Sequence, residues 1–123
     1  MTADTEKTIL LVDNQPRETA ALRKQLEFAG FKTKVAHTGT GAINKIEEQP
    51  PDVVLLEVSL SDMDGLEVVS FIRNDSKTNR IPILAMSAFH HMRDRCLRGG
   101  CDGFFQKPVK ILDLVAGIRK ALC

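Results

Sequence analysis

Residues 51–65 read PDVVLLEVSLSDMDG. Within them Val53, Val54, Leu55 and Leu56 form an apolar run too short for a core helix, bounded by Pro-Pro-Asp before and a polar loop ending in Gly65 after. That pattern predicts a strand buried on both faces, as in a parallel sheet covered by helices. The run stops at a charge. Glu57 stands where the chain leaves the hydrophobic layer, and in open parallel α/β sheets ligands bind in the crevice beyond the carboxyl ends of the strands. A lone acidic residue at a strand exit is ordinarily solvated surface. The case for chemistry therefore depends on what else reaches the same rim.

Working outward, the same pattern recurs. TILLV at residues 8–12 is a β-rich apolar run that exits into Asp13-Asn14. Pro16, tolerated at a first helical position, opens a helix with Leu22, Leu26 and Ala29 at helical spacing, and Gly30 closes it. Residues 31–36 alternate as a less apolar strand, which suits a sheet edge. A second helix over residues 39–49, with Ala42, Ile43 and Ile46 on one side, is broken by Pro50-Pro51.

After the central strand come a helix over residues 66–74, which buries Val69, Ile72 and Leu66, and a strand over residues 81–86 that ends in Ser87-Ala88. A helix over residues 90–98 is closed by Gly99-Gly100. A short strand at 103–106 ends in Lys107-Pro108, and the last helix, 111–122, lines up Ile111, Leu114, Val115, Ile118 and Leu122. Five strands alternating with five helices imply parallel strands joined by right-handed crossovers, with helices on both faces.

The bulk numbers agree. A chain of 123 residues with 43% hydrophobic composition fits one domain with one sizeable core, here residues 8–123 behind a polar tail of residues 1–7. Seventeen basic residues against sixteen acidic ones leave no overall field to favour nucleic acid or an anionic membrane. No apolar run is long enough to cross a bilayer, and a cytoplasmic location is expected. Cys96, Cys101 and Cys123 show no metal-ligand spacing, even with His90 and His91 nearby, and are read as reduced thiols.

In a parallel sheet all strand exits share one edge, so Asp13-Asn14, Glu57, Ser87 and Lys107 are expected to meet. Carboxylates that can hold a divalent cation, beside a lysine and a hydroxyl that can take phosphoryl oxygens, suit phosphoryl chemistry.

Ile9-Leu10-Leu11-Val12-Asp13-Asn14-Gln15-Pro16, Asp52 to Glu57, Met63-Asp64-Gly65-Leu66, Ile81 to Ala88 and Gly103 to Val109 together resemble the receiver domain of two-component response regulators over essentially the whole chain. The resemblance implies a flavodoxin-like (βα)5 sheet of strand order 2-1-3-4-5. In that family an aspartate at the end of the third strand accepts a phosphoryl group from a histidine kinase, with Mg2+ held by that aspartate and an acidic pair. Carried over by motif, the phosphoacceptor position is Glu57, and the metal positions are Asp13, Asn14, Glu57 and the backbone carbonyl of Ser59. Ser87, Lys107 and Phe104 take the switch positions.

Three positions depart from that pattern. Glu57 replaces the accepting aspartate, Asn14 replaces an acid, and Ser61 replaces a proline usual in the loop. The longer side chain moves the carboxylate by about 1.5 Å, a displacement in-line transfer tolerates badly. Asn offers a neutral carbonyl where a hard cation prefers carboxylate. By formal charge Asp13 and Glu57 against Lys107 leave −1, where the usual site carries about −2.

The expectation is a pseudo-receiver: a non-enzymatic interaction module in a phosphorelay, with weak or absent Mg2+ binding and no other cofactor. One alternative is a receiver that is still phosphorylated and Mg2+-dependent, should Glu57 replace a native aspartate. A remote one is a flavodoxin-like cofactor binder, although Asn14-Gln15-Pro16-Arg17 lacks a phosphate-cradling loop. Glu57 would imitate the phosphorylated state by accepting from Lys107 and Ser87, or else the switch is frozen off; both remain open. By resemblance, a histidine kinase or downstream effector would dock on the face of the fourth helix, fifth strand and fifth helix. That face carries His90, His91, Arg93, Arg95 and Arg98, a local basic cluster suited to an acidic protein partner.

Overall fold

The computed structural model describes residues 7–123; the tail expected over residues 1–7 falls, apart from Lys7, outside them. Five strands, β1 (Thr8–Val12), β2 (Lys32–Ala36), β3 (Val53–Glu57), β4 (Ile83–Ser87) and β5 (Gly103–Gln106), form one parallel sheet in the order β2-β1-β3-β4-β5. The helices are α1 (Pro16–Phe28), α2 (Gly39–Glu48), α3 (Gly65–Arg73), α4 (Arg93–Arg98) and α5 (Ile111–Leu122). This is the flavodoxin-like arrangement that the resemblance implied.

Strand alternation divides the core in two. Leu10, Val12, Val54 and Leu56 face α2, α3 and α4 through Ala42, Ile46, Val68, Val69, Ile72 and Cys96. Ile9, Leu11, Val53 and Leu55 face α1 and α5 through Leu26, Leu114, Val115 and Ile118. All five residues of β3 are buried, which is why its sequence is a continuous apolar run rather than an alternation.

The predicted boundaries shift where local chemistry overrides periodicity. Strand β4 begins at Ile83 instead of residue 81, because Pro82 has no N–H for the ladder; its carbonyl still accepts from the Val54 amide at 2.9 Å. Helix α3 starts at Gly65, one residue early, under a capping box in which Asp64 accepts from the Leu66 amide and Glu67 accepts from the Asp64 amide. Val68 is fully buried there, and Leu66 only partly. The helix predicted over residues 90–98 divides into a tight 3-10 turn, His90–Met92, and the six-residue α4.

One side chain ties the loops opposite the strand exits. The Arg73 guanidinium donates to the carbonyls of Gly100, Asn79 and Ile81 at 2.7–3.0 Å and to Asp102 Oδ2 at 2.9 Å. Asp102 also accepts from the Ile83 amide at 2.8 Å. Charge-assisted bonds of this kind are each worth about 1.5–3 kcal/mol, though solvent reduces their sum here because the Asp102 side chain is half exposed. Arg73→Ala is expected to lower the unfolding free energy by about 2 kcal/mol, read as a fall in the urea midpoint at unchanged slope.

Candidate functional site at the carboxyl ends of the strands

The strand register brings the exits together. Val12 lies opposite Leu56, which places Asp13 beside Glu57, and Glu57 lies opposite Met86 on β4. Met86 lies opposite Phe105, so Lys107 follows the end of β5 at the same rim. The Lys107 amide donates to the Ser87 carbonyl at 2.8 Å and holds the chain there before a cis Lys107-Pro108 peptide.

Lys107 is the centre of the site. Its Nζ lies 2.7 Å from Glu57 Oε1 and 2.8 Å from Asp13 Oδ2, with both carboxylates buried. Burial by itself would push the lysine's proton affinity down. Hydrogen bonds and charge from Asp13 and Glu57 outweigh it, so its pKa stands above the ordinary 10.5. The second oxygens are also engaged: Glu57 Oε2 accepts from the Ser59 amide at 3.2 Å, and Asp13 Oδ1 from the Gln15 amide at 3.0 Å.

A fourth charged group was absent from the sequence reading. Glu18 Oε1, half exposed, lies 3.8 Å from Lys107 Nζ. Counting it takes the formal charge of the cluster from −1 down to −2, with Glu18 discounted for its contact with solvent. The available signal was positional: a helix that opens at Pro16 puts residue 18 in its first turn, beside the exit of β1.

The other expected residues divide. Ser87 is fully buried at the end of β4, but its Oγ accepts from the Phe89 amide at 3.0 Å, and among the described residues no hydrogen bond joins it to Glu57. Asn14 is exposed. Phe104 is half buried and packs against the core on the α2–α4 side. Of the basic cluster, Arg95 is paired with Asp64 at 2.6 Å and Arg93 with its neighbour Asp94 at 3.5 Å, so part of its charge is balanced locally.

The loop after β3 is held from outside the site. Asp62 accepts from the amides of Gly39 and Thr40 and from the Thr40 hydroxyl at 2.8–3.0 Å, at the start of α2. Those backbone donors, Gly39 first, hold its carboxyl below the usual range.

Each buried carboxylate directs one oxygen at the Lys107 ammonium, and Asn14 offers a neutral carbonyl where an acid would bring a charge. The arrangement is an ammonium clamped between two buried carboxylates.

The model for the response regulator receiver domain matches residues 9–119. The polar-differentiation response regulator DivK of Brucella ovis is 27% identical over 118 residues, covering 94% of this chain and 96% of that protein. A two-component response regulator from Clostridium difficile has a TM-score of 0.87 at 29% identity, covering 94% of this chain and 95% of that one. The response regulator TrrA of Thermotoga maritima, solved in complex with Mg2+ and BeF, has a TM-score of 0.86 at 28% identity, with 94% and 99% covered. The chain therefore belongs to the response regulator receiver domains, the signalling modules of two-component systems.

Proposed function

We propose that this receiver, spanning residues 8–123, is a pseudo-receiver that works through protein contacts rather than aspartyl phosphorylation. The observation that carries the reading is the Lys107 ammonium held at 2.7 and 2.8 Å between Glu57 and Asp13. TrrA was solved with Mg2+ and BeF. Here the side chain at the acceptor position is one methylene longer, Asn14 stands where the neighbouring acid would be, and the ammonium already offsets one of the two buried carboxylate charges. Asp13, Asn14, Glu57 and the Ser59 carbonyl thus make a weakened Mg2+ site, and Glu57 a poor acceptor.

Titration with Mg2+ followed by NMR shifts, and incubation with acetyl phosphate followed by intact-mass measurement, test this directly. The wild-type chain is expected to show no phosphoryl adduct. Asn14→Asp, which adds the one missing carboxylate, is expected to tighten Mg2+ by about tenfold, and together with Glu57→Asp, which shortens the acceptor, to gain a phosphoryl group. Stoichiometric phosphate on Glu57 would overturn the proposal in favour of an active receiver with an unusual acceptor.

Of the two states left open for the switch, the contacts favour the one frozen off. Glu57 meets Lys107, but among the described residues no hydrogen bond joins it to Ser87, whose Oγ accepts from the Phe89 amide, so Glu57 makes one of the two contacts expected of a phosphoryl mimic. Partners of this class would be a histidine kinase or effector in the cytoplasm, reached through α4, β5 and α5, where His90, His91, Arg93 and Arg98 are exposed. Salt-sensitive binding of an acidic partner is the matching expectation.

A further inference from the structure

Helix α4 ends in a Schellman motif built from its own sequence. Gly100 takes φ +114, the Gly100 amide donates to the Leu97 carbonyl at 3.3 Å, and the Cys101 amide donates to the Cys96 carbonyl at 3.1 Å. In this motif the two residues joined by the outer bond also bring their side chains together in an apolar contact. Here both are cysteines. Cys96 is fully buried and Cys101 nearly so, both are free thiols, and they lie close enough that each alters the other's hold on its proton.

We propose that Cys96 and Cys101 form a dithiol that closes to an intramolecular disulfide under oxidation and so fastens the end of α4 to the start of β5. A disulfide needs a Cα separation of roughly 4.4–6.8 Å, and the Cys101 amide bonded to the Cys96 carbonyl at 3.1 Å draws the two residues together. Hydrogen peroxide is a sufficient oxidant. It converts the Cys101 thiol, the one with some exposure, to a sulfenic acid and one water; Cys96 sulfur then attacks that sulfur, the S–S bond forms, and the hydroxyl leaves with the Cys96 proton as a second water.

Burial pushes the Cys101 thiol up to about 12, which keeps it protonated and slow to oxidise, so closing the bond takes an excess of peroxide. Cys96 also packs in the same cluster as Val58, Ala85 and Phe104. A bond there would stiffen the region between the acidic rim and the α4–β5 surface. The inference holds whether or not Glu57 accepts phosphate.

The test uses the folded full chain carrying Cys123→Ser, which removes the exposed thiol that would join one chain to another. After native treatment with hydrogen peroxide, alkylation in denaturant and mass measurement are expected to show both thiols protected, two hydrogens lost, and a peptide linking positions 96 and 101. Amide exchange in α4 is expected to slow by about tenfold and to recover on reduction. Adding Cys101→Val, or separately Cys96→Ala, should abolish both effects. Thiols still alkylated after native treatment, a bond between chains, or a disulfide that leaves α4 exchange unchanged would each overturn the proposal.

Discussion

Lys107→Met is expected to lower the unfolding free energy by about 3–5 kcal/mol at neutral pH, because it leaves two buried carboxylates without the cation that lies between them. The methionine fills similar volume, so lost packing contributes little. Asp13 and Glu57 keep only their bonds to the Gln15 and Ser59 amides and face each other across the rim.

The wild-type chain has a matching dependence at the other end of the scale. Asp13 and Glu57 raise the Lys107 pKa above the ordinary 10.5 in the folded state, so the folded chain holds this proton more tightly than the unfolded one. The resulting stability is fully present below 10.5 and is lost as pH rises through the higher folded value. Urea unfolding near neutral pH and at about pH 11 should show this alkaline loss in the wild type and its absence in Lys107→Met. Equal pH profiles for the two proteins would mean that the ammonium does not hold the rim together.

Gly65→Ala is expected to cost about 3 kcal/mol, at the upper end of overpacking penalties. A Cβ built there lies 2.7 Å from Val58 Cα, 2.9 Å from the Val58 carbonyl oxygen and 3.0 Å from that of Glu57. All three are backbone atoms, so no rotamer change relieves the contact. The Gly65 amide also donates to the Val58 carbonyl at 2.8 Å, which keeps the start of α3 against the end of β3. The strain therefore falls on the segment that positions Glu57. Amide shifts at Glu57, Val58 and Ser59 should accompany the lower urea midpoint, whereas Gly41→Ala, whose nearest contact is the Thr38 hydroxyl at 3.0 Å, should leave them in place.

Most of the architecture was readable in advance because β3, β1 and β4 are buried on both faces and can be written only as unbroken apolar runs. Their polar exits, Asp13, Glu57, Ser87 and Lys107, follow from the same periodicity, since a parallel sheet sends every exit to one edge. Two boundaries were missed although their chemistry is local and written in the chain: the Asp64 and Glu67 capping box starts α3 at Gly65, and the missing N–H of Pro82 delays β4 to Ile83.

Contacts that depend on three-dimensional reach were not legible in the chain. Glu18 reads as an ordinary acid in a first helical turn until β5 delivers Lys107 within 3.8 Å of it. Arg73 reads as a helix-ending cation, yet it binds three separate loop carbonyls. Ser87 was placed at the correct strand end, but the direction its hydroxyl faces was decided by the turn that brings the Phe89 amide to it.

The amino-acid order alone determined which segments are buried, their parallel arrangement, and that an acid one carbon longer than usual stands at the central exit. Tertiary structure alone decided how that acid is neutralised. A side-chain charge has no fixed partner along the chain, and its partner is selected by strand register, which here sets Lys107 2.7 Å from Glu57, and 2.8 Å from Asp13, 94 positions away.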